Sequence, residues 1–160
     1  MATPILVSSC ARAATSKEAA YRLDYPLAHA RSTRVIAFDP AAAEVVRAVS
    51  DGPWGQAHFY TASVSGAELI TLSGEARPMA AELEHSDSVI MVATNAINAR
   101  AVAAVGAVCR ERSTMTAGLL MTDEGSLAGD TLMAIRPYAR ILLVPAEHDD
   151  LFELLRATRA

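Results

Sequence analysis

Lysine is almost missing from this chain: Lys17 stands alone among 14 basic residues, and 18 acidic residues leave a net charge of −4. No basic run is long enough to follow a phosphate backbone, so a nucleic-acid platform is not expected. Cysteine is scarce too. Cys10 and Cys109 lie far apart without CxxC spacing, and the four convergent ligands of a structural zinc are not there. Both read as free thiols in a reducing cytoplasm, with Cys109 a small core residue on an alanine-rich helix. Long hydrophobic runs are absent: Ala101 to Cys109, between Arg100 and Arg110, falls far short of the roughly 20 residues of a membrane span. Val7-Ser8-Ser9-Cys10 has the shape of a lipoprotein cleavage box. Nothing positive precedes it and its apolar stretch is short, so an ordinary N-terminal segment is expected.

What is there points to one α/β domain over residues 1–160, with residues 1–33 the least patterned. Hydrophobic residues make up 52% of the chain, enough for a core that buries roughly two thirds of the unfolded surface. Thr15 to Leu23 has the pattern of a short helix, stopped at Tyr25-Pro26. Arg34–Phe38 reads as a strand, and Asp39-Pro40 after it sets an N-cap and a first helical proline. A helix over Ala41–Val49 follows, with Ala42, Val45, Val46 and Val49 on one face. Strands are expected at Ala57–Ala62 and Glu68–Leu72, the latter near an edge, then a helix at Pro78–Glu84. The second half repeats the rhythm: strand Ser88–Ala93, helix Ala96–Arg112, strand Met115–Met121, helix Ser126–Pro137, strand Arg140–Val144 and helix Asp149–Arg159. Val/Ile/Leu runs separated by helices predict a doubly wound, mostly parallel sheet of five to six strands, in the Rossmann-like order 3-2-1-4-5-6.

Val35-Ile36-Ala37-Phe38, a helix, then His58-Phe59-Tyr60-Thr61 resembles the start of a Rossmann-type nucleotide domain. Asp87 to Thr94, the alanine-rich helix and Met115 to Leu120 are similar to the GTPase half of the bacterial tubulin-like division proteins. Ile135 to Tyr138 with Ile141 to Pro145 looks like the end of that half, and the order of elements matches over about residues 34 to 155. The second half is also similar to sugar isomerase (SIS) domains. The ligand motifs differ. Asp39-Pro40-Ala41-Ala42 stands where the tubulin-like family has a double-glycine turn, and Thr94-Asn95-Ala96-Ile97-Asn98 where it has a glycine-threonine signature. The SIS serine-glycine-threonine motif is missing as well, so the resemblance implies a fold and transfers no catalytic residue.

In an open α/β sheet, ligands bind beyond the carboxyl ends of the strands, where strand order reverses. That rule selects Asp39, Thr94, Asn95 and Asn98, with Thr122 and Asp123 beside them. Asp39 has two readings: a grip for a ribose hydroxyl, a metal or an amine, or a helix N-cap. Its carboxylate, and the lack of glycine in both turns, argue against a nucleoside triphosphate. Thr94 and Asn95 either cap the long helix or offer hydroxyl and amide groups to a neutral or singly charged ligand. Asp123-Glu124 reads as a solvated loop pair, His148 as a surface residue opening a helix, and His58 as a packed strand histidine. Trp54 sits in a loop, anchoring a partner or covering the sheet edge. No Ser-His-Asp set, nucleophile elbow or HExxH is present, and no metal or cofactor is assigned. The leading expectation is a non-catalytic binder of a small polar metabolite, or a self-associating module whose alanine-rich helices form a homo-oligomer interface. The alternative is an enzyme on a carboxylate or sugar substrate, with Asp39 or Asp123 as acid/base.

Overall fold

A computed structural model describes residues 29–122 and 126–160. The expected helix at Thr15–Leu23, Cys10 and Asp123 lie outside the described residues. Among the described residues seven strands form one sheet in the order β4-β3-β2-β1-β5-β6-β7. They are β1 (Thr33–Ala37), β2 (Ala57–Ala62), β3 (Glu68–Thr71), β4 (Ala76–Pro78), β5 (Ser88–Ala93), β6 (Met115–Met121) and β7 (Ile141–Ala146). β2, β1, β5, β6 and β7 run parallel to one another, while β3 pairs antiparallel with both β2 and β4. The expected α/β, mostly parallel sheet is therefore present, with seven strands rather than five to six. The surplus strand is β4, three exposed residues too few to show a period of two.

Among the described residues the helices are α1 (Pro40–Ser50), α2 (Met79–Glu82), α3 (Ala99–Glu111), α4 (Gly129–Ile135) and α5 (His148–Thr158). Two apolar layers result. On one face α1 and α5 pack Val46, Leu151 and Leu155 over Val35, Ile90, Val92 and Leu119. On the other, α2, α3 and α4 place Leu83, Val102, Val105 and Ile135 over Ile36, Val89, Met91 and Leu120. Every residue of β5 is buried, as a strand covered on both faces requires. Each fully buried Val, Leu or Ile contributes about 1.5–3 kcal/mol. Cys109 joins the second layer, and burial pushes its thiol up to about 11.

Several boundaries differ from expectation. Pro78 belongs to β4, leaving α2 a single turn. The long helix starts at Ala99 rather than Ala96, because Asn98 takes the N-cap and its Oδ1 accepts from Ala101 N at 3.1 Å. Trp54 packs edge-on against Phe152 on α5, centroids 5.1 Å apart, and its indole N–H donates to Val49 O. It therefore covers the α1/α5 layer.

Two glycines are dictated by close approach. Gly66, at φ +75°, sets the β2–β3 turn within 2.8 Å of Ala101 Cα for any added Cβ. The small side chains of Ala101 and Ala104 on α3 thus receive that turn. Gly106, further along α3, lies against the Tyr138 ring. Gly106→Ala should cost about 1–3 kcal/mol, because the ring has to move out of a packed position. Urea unfolding of the two proteins checks this, and equal midpoints would show that Tyr138 shifts freely.

Candidate functional site

The strand order reverses at β1, so the switch point lies beyond the carboxyl ends of β1 and β5. Backbone bonds close the base of this crevice: Phe38 N donates to Val92 O at 3.0 Å, and Asn98 N to Phe38 O at 3.1 Å. Asp39 sits between the two strand ends and is only 5% exposed. Its Oδ1 accepts from Ala42 N at 2.9 Å and from the Thr94 hydroxyl at 3.0 Å. Its Oδ2 accepts from Thr94 N at 2.7 Å. The carboxylate is at once the cap of α1 and a bridge to the turn after β5.

The neighbours are similarly engaged. The Asn95 amide donates to Ser126 O at 3.0 Å, and its carbonyl oxygen accepts from Ala128 N at 2.9 Å. Asn95 therefore docks the β6–α4 loop rather than capping α3. Asn98, besides its cap, donates through Nδ2 to Val64 O at 2.9 Å. Thr94 accepts from Ala96 N at 3.3 Å. The structure thus brings Asp39, Thr94, Asn95 and Asn98 together, each held by protein partners. Thr122 lines a cleft of about 380 Å³ at the carboxyl ends of β6 and β7, with Met121, Ala146 and His148. His148 is the first residue of α5. Among the described residues no group of three or more His, Cys, Asp or Glu side chains converges to hold a metal ion. None of the described helices is long and apolar enough to cross a membrane.

A second polar cluster escaped sequence reasoning. Glu82, closing α2, receives the Tyr60 hydroxyl on its carboxylate and the Arg34 Nε on its carbonyl oxygen, the latter at 2.9 Å. Arg77 Nη1 adds an ion pair to Glu82 at 3.7 Å. Burial first, and then the hydrogen bond to Glu82, push the Tyr60 phenol up to about 12. His58, on the same face of β2, is exposed rather than packed; partial burial and then the Arg34 charge lower its pKa. The available signal was alternation: Arg34 shares a face with Ile36, and His58 with Tyr60, so polar groups recur on a side expected to be apolar.

Compared with known proteins, the chain matches no family model and no curated protein. The geometry alone therefore carries the functional reading.

Removing the Asp39 carboxylate should be costly. Asp39→Ala loses a cap worth about 1 kcal/mol and leaves the Thr94 donors without a charged acceptor, at about 1.5–3 kcal/mol for such a bond. A loss of about 3 kcal/mol in urea unfolding is expected, and less for Asp39→Asn, which keeps one acceptor oxygen. A change below about 0.5 kcal/mol, the range of an ordinary surface site, would show the bridge to be unimportant.

The Tyr60 phenol is protonated more tightly in the folded chain than its ordinary value near 10. Its contribution is fully present below about pH 10 and is lost as pH rises through about 12. Thermal unfolding from pH 9 upward should show a steep loss in the native protein and a shallower one in Tyr60→Phe. Parallel curves would exclude Tyr60 as the source.

Proposed function

We propose that this chain is a non-catalytic α/β domain that works by self-association, with the β7 edge as the surface on which a second copy pairs. The observation that carries this reading is the contrast between the two ends of the sheet. At the β4 edge stand Arg77 and, just before the strand, Glu75, charges that discourage strand addition. At the β7 edge, Ile141 to Val144, ahead of Pro145, carries no charge, and Ile141 is 47% and Val144 39% exposed, with Met115 41% exposed at the start of neighbouring β6. An edge of this kind offers unpaired backbone groups beside apolar side chains. A copy of the same strand, antiparallel about a two-fold axis, meets both needs without opposing like charges.

The crevice supports the non-catalytic half. Both oxygens of Asp39 already accept protein hydrogen bonds, three in all, so its burial and bonding are accounted for by the α1 cap and the bridge to Thr94 without a role as general base. A small polar ligand at Asp39, Thr94, Asn95 and Asn98 would likewise displace bonds the protein makes to itself, which favours self-association over metabolite binding. The alanine-rich face of α3 is not the surface chosen, since Ala101 and Ala104 lie under Gly66.

Light scattering on the eluting protein at micromolar concentration should give at least a dimer. The double variant Ile141→Lys, Val144→Lys, which places charge on the edge, should give a monomer with unchanged circular dichroism. A monomeric native protein, or a double variant that still associates, would overturn the proposal.

A further inference from the structure

At the opposite end of the sheet from Asp39, where β6 and β7 begin, a pocket of about 100 Å³ is lined by Arg110, Thr114, Thr116, Tyr138 and Arg140 among others, none of them acidic. We propose that this pocket binds a single phosphate group, free or as the end of a phosphomonoester.

The two arginines are held there by the fold. Arg110 lies in the last turn of α3 with its guanidinium carbon 5.3 Å from the centre of the Tyr138 ring. One of its N–H groups donates to Pro137 O at 3.2 Å. A guanidinium carries five such donors, so four remain for a ligand. The ring under Arg110 is itself seated by Gly106. Arg140 starts from a fixed backbone: its N–H donates to Thr116 O at 3.1 Å and to the Thr116 hydroxyl at 3.3 Å. That hydroxyl in turn donates to Tyr138 O at 2.6 Å. Thr114 and Thr116, both buried, form the floor.

Charge favours an anion here. The chain is acidic, at −4, and the ion pairs among the described residues engage Arg47, Arg77 and Arg156. Arg110 and Arg140, like Arg31, Arg34, Arg100, Arg112, Arg136 and Arg159, stand in none of them, and these two share one pocket. The negative end of α3 attracts a cation and accounts for Arg110, but it gives no reason for a second arginine arriving from the start of β7. Two arginines lining one pocket without a carboxylate match an oxyanion, and arginine is the residue suited to holding phosphate through paired N–H bonds. Size narrows the class. A space of about 100 Å³ receives one tetrahedral anion, and a monoester can point its remainder outward.

Inorganic phosphate and glycerol phosphate, each titrated against sodium chloride at constant ionic strength, test this by thermal shift and calorimetry. At least one should stabilise the native protein in a saturable way. Arg110→Gln and Arg140→Gln should each weaken the half-saturation by about tenfold or more, the scale of a lost charge-assisted bond. Arg47→Gln, far from the pocket and exposed, should bind as the native protein does. Matching unfolding temperatures in chloride alone show that the variants are folded. Saturation by inorganic phosphate identifies a free ion as sufficient; saturation by glycerol phosphate alone identifies a phosphate carried by a larger molecule. No saturable response to either, or a response that survives both glutamine substitutions, overturns the proposal.

Discussion

One carboxylate joins the two halves of this fold. Asp39 takes donors from the first turn of α1 and from the turn after β5, the latter 55 residues further along the sequence. In a nucleotide-binding α/β protein, a helix N-terminus at such a crevice is where a phosphate is received. Here the chain supplies its own anion to those N–H groups. The sheet can close tightly behind it, with Phe38 and Asn98 bonded across the strand ends, and β1 and β5 are fixed in register from Thr33–Ser88 to Ala37–Val92. The layers on either face are then assembled on a central pair that cannot slide.

The route from β2 to β5 shows a different solution to covering a sheet. A long crossover helix is replaced by the β3–β4 hairpin and the single turn of α2. Four residues cannot bury a helix face alone, and isolated turns of this length are unstable. Met79 and Leu83 supply the apolar contact, while Glu82 is tied down by Tyr60, Arg34 and Arg77. Polar anchoring on the sheet face stands in for the missing helix length. This accounts for charged and phenolic groups on strands that otherwise read as apolar.

The layered α/β architecture was legible because its signals are local and repeated. Val35 to Phe38, Val89 to Val92 and Leu119 to Leu120 are apolar runs that a doubly covered strand demands, and Asp39-Pro40 marks a helix start by chemistry alone. Elements whose stability comes from afar were not legible. β4 is an exposed tripeptide defined by pairing with β3, and its proline resembles a helix start as much as a strand end. Thr94, Asn95 and Asn98 all have side chains able to cap α3; only the fold decides that Asn98 does so while Thr94 turns to Asp39 and Asn95 to the β6–α4 loop. Arg110 and Arg140 were invisible as a pair, one ending a helix and the other preceding a strand. Asp39, Thr94 and Asn98 lie side by side because strand order brings their turns together. Their mutual bonds depend on distances that sequence does not encode locally.

The left-handed turn at Gly66 has a mechanical consequence. Gly66 rests on the backbone of α3 with no room for a methyl group, and Asn98, at the start of the same helix, holds Val64 O. The hairpin is therefore clamped at two points on one rigid rod, and packed interiors transmit displacement rather than absorb it. Bending the β2–β3 turn and tilting α3 are a single motion, and that motion pulls on the hydrogen bond from Asn98 N to Phe38 O. The outermost turn of the sheet and its central seam move as parts of one linkage.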